Sequence, residues 1–351
     1  MFRLGWLLGI QHRKGKSNMT HLLLKVVGNI LLWMVLCTMT AWGALAIFFS
    51  CLPNPARPVL SILFALIQLA VLFFLRPKGM SYAIFFALFA IVLSGYFAMK
   101  SSNDRDWQAD VAVLPYADID GDRVTVHNIR NCDYRSETNY TPQHYDQTFD
   151  VSKLDTIDLY LVNWGIKYIS HTMISFGFEG NQYLCISIET RKEKGEDYST
   201  IKGFFRQYEL FYVVADERDL VRLRTNYRKD ETVYLYRLNG SKAVFRKIFL
   251  DYIHYINRLK IQPEWYNALT GNCTTQIRGH TRPYTGKTRW DWRILLNGQL
   301  DEMAYENGLL NQSLPFETLK RKSIINERAK GLDQHQDFSI QIRRGLPGMG
   351  G

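Results

Sequence analysis

Apolar positions crowd the first hundred residues and then give way to alternation. From Leu22 to Leu52 the chain is almost uninterrupted apolar, with Lys25 near its start, and Val59 to Leu75 and Met80 to Met99 are two further runs. Each reaches or approaches the roughly 20 residues that take a helix across about 30 Å of hydrocarbon. Three transmembrane helices are predicted. A cleavable signal peptide is the alternative for the first run, because Ala44 to Ala46 loosely fits a small-x-small site. The run, however, exceeds the roughly 7 to 15 residues of an h-region, and two more spans follow. Pro53, Pro55 and Pro58, and then Arg76 to Met80, make both connections short. Met1 to Ile10 mixes apolar residues with Arg3 and is read as an interfacial segment or a frayed end.

Beyond Met99 the pattern changes. Ser101 to Trp107 reads as a polar linker, and Asp110 to Leu114 and Arg123 to Ile129 read as strands around a turn at Ala117 to Asp122. Asn131 to Ser152 reads as surface loop and Asp158 to Asn163 as a strand. Ile169 to Phe178 and Tyr183 to Arg191, joined at Glu179 to Gln182, form the clearest hairpin. Arg191 to Tyr198 is a charged loop, Thr200 to Tyr208 a short helix, Glu209 to Val214 a strand, and Asp216 to Asp219 a solvated charged turn. Thr232 to Leu238 is a further strand. A helix follows from Ser241 or Lys242 to Leu259, with Val244, Ile248, Tyr252, Tyr255 and Ile256 on one stripe. Trp290 to Asn297 and Phe316 to Ala329 are helical, and the end from Arg343 is flexible. The domain organisation is thus a segment 1–20, a three-helix anchor 21–100 and an α+β domain 101–351.

Charge sets the orientation. Arg3, Arg13, Lys14 and Lys16 precede the first span and Arg76 and Lys78 lie between the second and third, whereas only Arg57 lies between the first and second. The richer sides are expected to be cytoplasmic, so the domain after Met99 emerges on the outer face of the membrane. The net charge of +10 then points to anionic lipid or an ordinary solvated surface rather than nucleic acid. Asp118, Asp120 and Asp122 lack the remaining ligands of a calcium loop. No metal and no cofactor is expected.

Candidate chemistry centres on Cys273. Thr270 and Gly271 signal a turn, Asn272 is a good N-cap residue, and Thr274 to Ile277 continue as a first helical turn. A thiol there meets unpaired amide N–H groups and the positive end of the helix dipole, which favour the thiolate. Of the other cysteines, Cys37 and Cys51 belong to the spans, and whether Cys132 and Cys185 bond to each other cannot be read from spacing. A cysteine nucleophile needs an oriented base. His280 lies about 10 Å along the helix axis, which leaves His171, on the first strand of the hairpin. Glu189 stands opposite His171 if the hairpin loop has three residues, and on the other face if it has two or four. Ser187 and Thr190 are the alternatives for the orienting group. Asn272 is a cap or an oxyanion donor.

The stretches His171 to Phe178, Ser187 to Arg191, Gly203 to Leu210, Glu217 to Asp219, Leu223 to Asn226 and Tyr266 to Thr275 together resemble the periplasmic domain family of the bacterial Lnb-type lipoprotein N-acyltransferases. The resemblance covers about Trp107 to the C-terminus. It implies a permuted papain-like fold, as in lecithin:retinol acyltransferase-like enzymes, and acyl transfer through a cysteine thioester. Cys273 matches the nucleophile and His171 the base. In the acyltransferases bearing the name a larger membrane domain follows the catalytic one, whereas here three helices precede it. Three functions are carried forward. The first is a thiol acyltransferase with phospholipid as donor and a lipoprotein or other amine as acceptor. The second is a cysteine peptidase or amidase acting on cell-wall peptide, and the third a non-enzymatic anchored envelope protein.

Overall fold

A computed structural model describes residues 4–349 apart from 167, 287–290 and 334, with side chains from His21 onward. The chain forms two compact units, residues 1–100 and 101–351. In the first, α1 (Leu4–Phe48), α2 (Ala56–Phe74) and α3 (Lys78–Ala98) are helices. His21–Phe48 of α1 and the whole of α2 and α3 are long and apolar enough to cross a membrane. The proposed interfacial segment falls largely outside the described side chains.

The second unit is built on β1 (Tyr116–Asp120), β2 (Arg123–Arg130), β3 (Asp133–Tyr134), β4 (Tyr140–Thr141), β5 (His144–Asp150), β6 (Leu154–Asn163), β7 (His171–Phe178), β8 (Gln182–Arg191), β9 (Glu209–Ala215) and β10 (Thr232–Arg237). Its helices are α4 (Glu217–Arg222), α5 (Lys242–Ile261), α6 (Cys273–Thr285), α7 (Leu300–Glu306), α8 (Phe316–Lys322), α9 (Asn326–Lys330) and α10 (Phe338–Arg343). Mixed α and β structure follows three membrane-capable helices.

Among the described residues the main sheet runs β1-β2-β9-β8-β7-β6-β10, with β5 on β2. Successive strand residues point to opposite faces, and both faces are covered. Ile174, Phe176, Ile186, Ile188 and Tyr212 pack against Phe249, Tyr252 and Ile256 of α5, with Cys273 of α6 in the same cluster. Met173, Cys185, Phe211 and Val213 pack on the other face against Leu220, Ala329, Phe338 and Ile342. The apolar stripe of α5 holds Ile248, Tyr252 and Ile256 as expected and adds Phe245, Phe249 and Ile253, while Ser241 caps the helix by accepting from the Val244 N–H.

Several expectations are corrected. The first hairpin pairs Tyr116–Asp120 with Arg123–His127, so the strand lies where a turn is expected. Asn131 to Ser152 contains β5, whose alternating Tyr145 and Phe149 pack on the core. The predicted helix at Thr200 to Tyr208 is one 3-10 turn, Lys202–Phe204. Phe316 to Ala329 is broken at Ser323, whose carbonyl accepts from Leu235 N–H and so fastens this segment to β10. The start of the helix expected at Trp290 lies outside the described residues, and its remainder is the 3-10 turn Trp292–Ile294. Arg343 and Leu346 are buried, so the tail is anchored this far.

The charged segment Asp216 to Asp219 is the largest reversal. It begins α4, and Glu217 and Asp219 are fully buried. Asp219 takes the Arg130 guanidinium at 2.7 and 2.9 Å, and also accepts from Cys132 N–H and Tyr134 O–H. Glu217 takes Arg343 at 2.6 and 2.7 Å, and Arg343 also donates to Asp158 at 2.8 Å. Buried carboxylates with these partners are stable; alone they would not be.

Candidate active site

Asn272 ends an extended stretch and caps α6, its Oδ1 accepting from Thr275 N–H at 3.0 Å and its Nδ2 donating to the Ala268 carbonyl at 3.0 Å. Both ends of the amide are therefore engaged in shaping the turn. Cys273 is the first helical residue and is 8% exposed. Asn297 stands over it. Its Oδ1 accepts from Ser170 N–H at 2.8 Å, which leaves Nδ2 to donate to Thr274 Oγ1 at 2.6 Å, with Cys273 Sγ 3.8 Å away. Thr172 Oγ1 lies 3.4 Å from Thr274 Oγ1. The start of β7 is thereby tied to the start of α6.

The hairpin loop has three residues, since Phe178 pairs with Gln182. The register Met173 to Ser187, continued by two, sets His171 opposite Glu189. Ser187 lies between them: His171 Nε2 is 2.7 Å from Ser187 Oγ, which donates to Glu189 Oε1 at 2.7 Å, and His171 Nε2 is 3.6 Å from that carboxylate oxygen. The hydroxyl has one proton and gives it to Glu189. In this network Nε2 of a neutral His171 must therefore carry a proton and donate, which leaves Nδ1 bare as the basic nitrogen.

Arg224, just after α4, completes the cluster by donating to Glu189 Oε1 at 3.0 Å. Burial and the nearby Arg224 push the His171 pKa down to about 3 against the opposing pull of Glu189. Burial alone would raise Glu189, but Arg224, His171 and Arg228 hold it well below the usual carboxylate range. A neutral imidazole beside a charged carboxylate results.

His171 and Cys273 are not hydrogen-bonded. Thr172 turns to α6, so the His171 side chain leaves the opposite face of the strand, where it meets Ser187 and Glu189. Both groups nevertheless lie at one end of the sheet, at the starts of β7 and α6, which Thr172 and Thr274 bring together. Thr190 alternates away from Glu189. His280, two turns along α6, is held by Asp251 at 2.6 Å and Tyr212 at 2.7 Å. Cys132 and Cys185 are free thiols in separate clusters.

A cavity of about 360 Å³ runs along α6 from Thr274, the residue after Cys273. Thr274, Ile277 and Thr281 of α6 form one wall, Val244, Ile248 and Tyr252 of α5 another, and Ile157, Leu159 and Ile174 the floor. Tyr252 is fully buried, and its hydroxyl has no hydrogen-bond partner among the described residues. Burial and the neighbouring Cys273 raise its pKa well above the ordinary value.

The sequence pattern of the family described as Lnb N-terminal periplasmic domain matches residues 140–298, which contain β7, β8, α6 and Asn297. This segment belongs to that family. The chain is thus a membrane-anchored protein with an Lnb-type periplasmic domain. No curated protein and no solved structure matches it. Sequence reading missed Asn297, Arg224 and Tyr252. In the sequence Asn297 stands only as the end of an expected helix, Arg224 only within a stretch that carries the resemblance, and Tyr252 as part of the α5 stripe.

Proposed function

We propose that the protein is a cysteine acyltransferase of permuted papain-like design, held at the bacterial inner membrane with its N-terminus cytoplasmic. Cys273 attacks an ester carbonyl of a phospholipid; the ester C–O bond breaks, a thioester forms, and the thiol proton goes to the departing alkoxide by way of His171 Nδ1. An amine, such as the terminus of a lipoprotein, then attacks the thioester, and the amide forms as the proton returns to the thiol. The step requires His171 to meet Cys273 across β7 with substrate bound, Ser187 fixing which ring nitrogen carries the proton beforehand. Hydrogen bonds of unliganded sites often form only with substrate bound. Asn297 Nδ2 and the Cys273 N–H are the donors for the oxyanion.

One observation supports the acyl reading over peptide hydrolysis: the cavity that reaches Thr274, the neighbour of Cys273, has a mainly apolar lining, Ile157, Leu159, Ile174, Val244, Ile248 and Ile277 among it, which suits a hydrocarbon chain. Its volume falls within the range of about 300–1,000 Å³ typical of ligand sites. Intact-mass analysis of the full chain purified from membranes tests the reading. Wild type should carry a hydroxylamine-labile fatty acyl adduct that Cys273→Ala lacks. The same adduct on both proteins would sink the thioester.

A further inference from the structure

The loops around Cys273 expose large apolar side chains. Trp164, Ile166, Tyr168 and Ile169 lead into His171, Leu269 precedes the Asn272 cap, and Leu296 precedes Asn297; Trp164, at 36%, is the least exposed and Leu269, at 50%, the most. These loops are knitted into one rim. Gly298 N–H donates to the Tyr168 carbonyl at 3.1 Å, and Ser170 N–H to Asn297. Apolar side chains gathered this way are uncommon on soluble surfaces and mark a contact.

The start of the domain indicates what that contact is. The third membrane-capable helix ends at Ala98, and only Met99 and Lys100 separate it from Ser101. Ser101 Oγ donates to the Pro263 carbonyl, Ser102 N–H donates to Glu209 Oε1 at 3.0 Å, and Arg105 pairs with Glu209 and Glu193 at 2.9 Å. Glu209 begins β9 and Glu193 closely follows β8, and His171 begins the antiparallel β7. The chain therefore enters the domain at the same end of the sheet that carries the rim. Tryptophan and tyrosine are enriched at the headgroup level, and exposed leucine and isoleucine beside them bury apolar surface at the acyl boundary.

We propose that this rim is a lipid-docking surface, which inserts Trp164, Ile166, Tyr168, Ile169, Leu269 and Leu296 into the outer headgroup region of the bilayer that the helices cross. The proposal concerns where the rim lies and stands whether or not Cys273 forms a thioester. The test uses the full chain in nanodiscs of phosphatidylethanolamine and phosphatidylglycerol, with Cys37→Ser, Cys51→Ser and Cys273→Ala. An environment-sensitive fluorophore is placed at Ile166→Cys, at Leu269→Cys, or at Glu179→Cys in the turn at the far end of the hairpin. Nitroxide-labelled lipid should quench the two rim probes at least about twofold more than the Glu179 probe. Ile169→Glu should lower quenching at the Leu269 site and leave the Glu179 site unchanged. Equal quenching at all three sites would overturn the proposal, as would rim probes shielded only at high protein concentration, which would mean a second copy covers them.

Discussion

Asn297 accepts the backbone N–H of Ser170 with its oxygen at 2.8 Å and thereby presents its amide nitrogen to Cys273 Sγ, 3.8 Å away. One side chain sets both the strand that bears the histidine and the donor next to the nucleophile. Asn297→Asp keeps the acceptor for Ser170 and removes the donor. If that donor serves the oxyanion, the acylation rate should fall about 10² to 10³-fold while the melting temperature changes little. Asn297→Ala should lower both, and burst-phase acylation alongside thermal melting separates the two effects.

Ser187 is the link between His171 and Glu189. Ser187→Ala leaves His171 Nε2 without its acceptor and frees the ring to adopt either tautomer. The acylation rate should drop about tenfold or more, short of the roughly 10² to 10⁴-fold credited to a general base, and His171→Ala should cost the larger amount. Equal rates in Ser187→Ala and wild type would remove the relay.

The depressed His171 pKa of about 3 fixes a sign. Between the ordinary imidazole value of about 6.5 and about 3, the unfolded chain binds a proton that the folded one excludes, so stability is lost as pH falls through that window. The base itself remains neutral there. Denaturant unfolding at pH 7 and pH 5 should show a smaller loss for His171→Asn than for wild type.

Tyr252→Phe removes a buried hydroxyl that has no partner among the described residues. Leaving such a group unpaired costs about 1–3 kcal/mol, so the variant should be as stable as wild type or more so. If its thioester yield falls while stability rises, the hydroxyl meets substrate in the cavity. Unchanged yield would assign Tyr252 to the wall alone.

Asp219→Ala should be severe. It strands the Arg130 guanidinium, itself buried, and breaking such a pair costs about 3–5 kcal/mol. Chemical denaturation of the full chain in detergent would register the loss, and wild-type stability would contradict the network.

These residues divide by the range of the information that places them. The Asn272 cap, the Cys273 helix start, the β7–β8 hairpin and the stripe of α5 depend on neighbours within a few positions, and each can be read from local spacing. The three spans are legible for the same reason. Asp216 to Asp219 reads as solvated because Arg130 and Arg343, which neutralise it, lie 89 and 126 residues away from Asp219 and Glu217. Asn297 reaches Ser170 across 127 residues, and nothing in its own surroundings announces this. The face of the sheet that His171 occupies was equally hidden, because a strand start with a helix on either side offers two orientations.

Arg343 lies 185 residues beyond Asp158, the carboxylate it helps to neutralise. A chain being exported therefore delivers Glu217 long before Arg343 arrives, whereas Asp158 has already met Arg237. Until α10 docks, Glu217 faces an unfinished interior, and Phe338 and Ile342 are missing from the cover of the sheet face opposite α6. Closure of this face therefore waits on α10, the last of the described helices in sequence order.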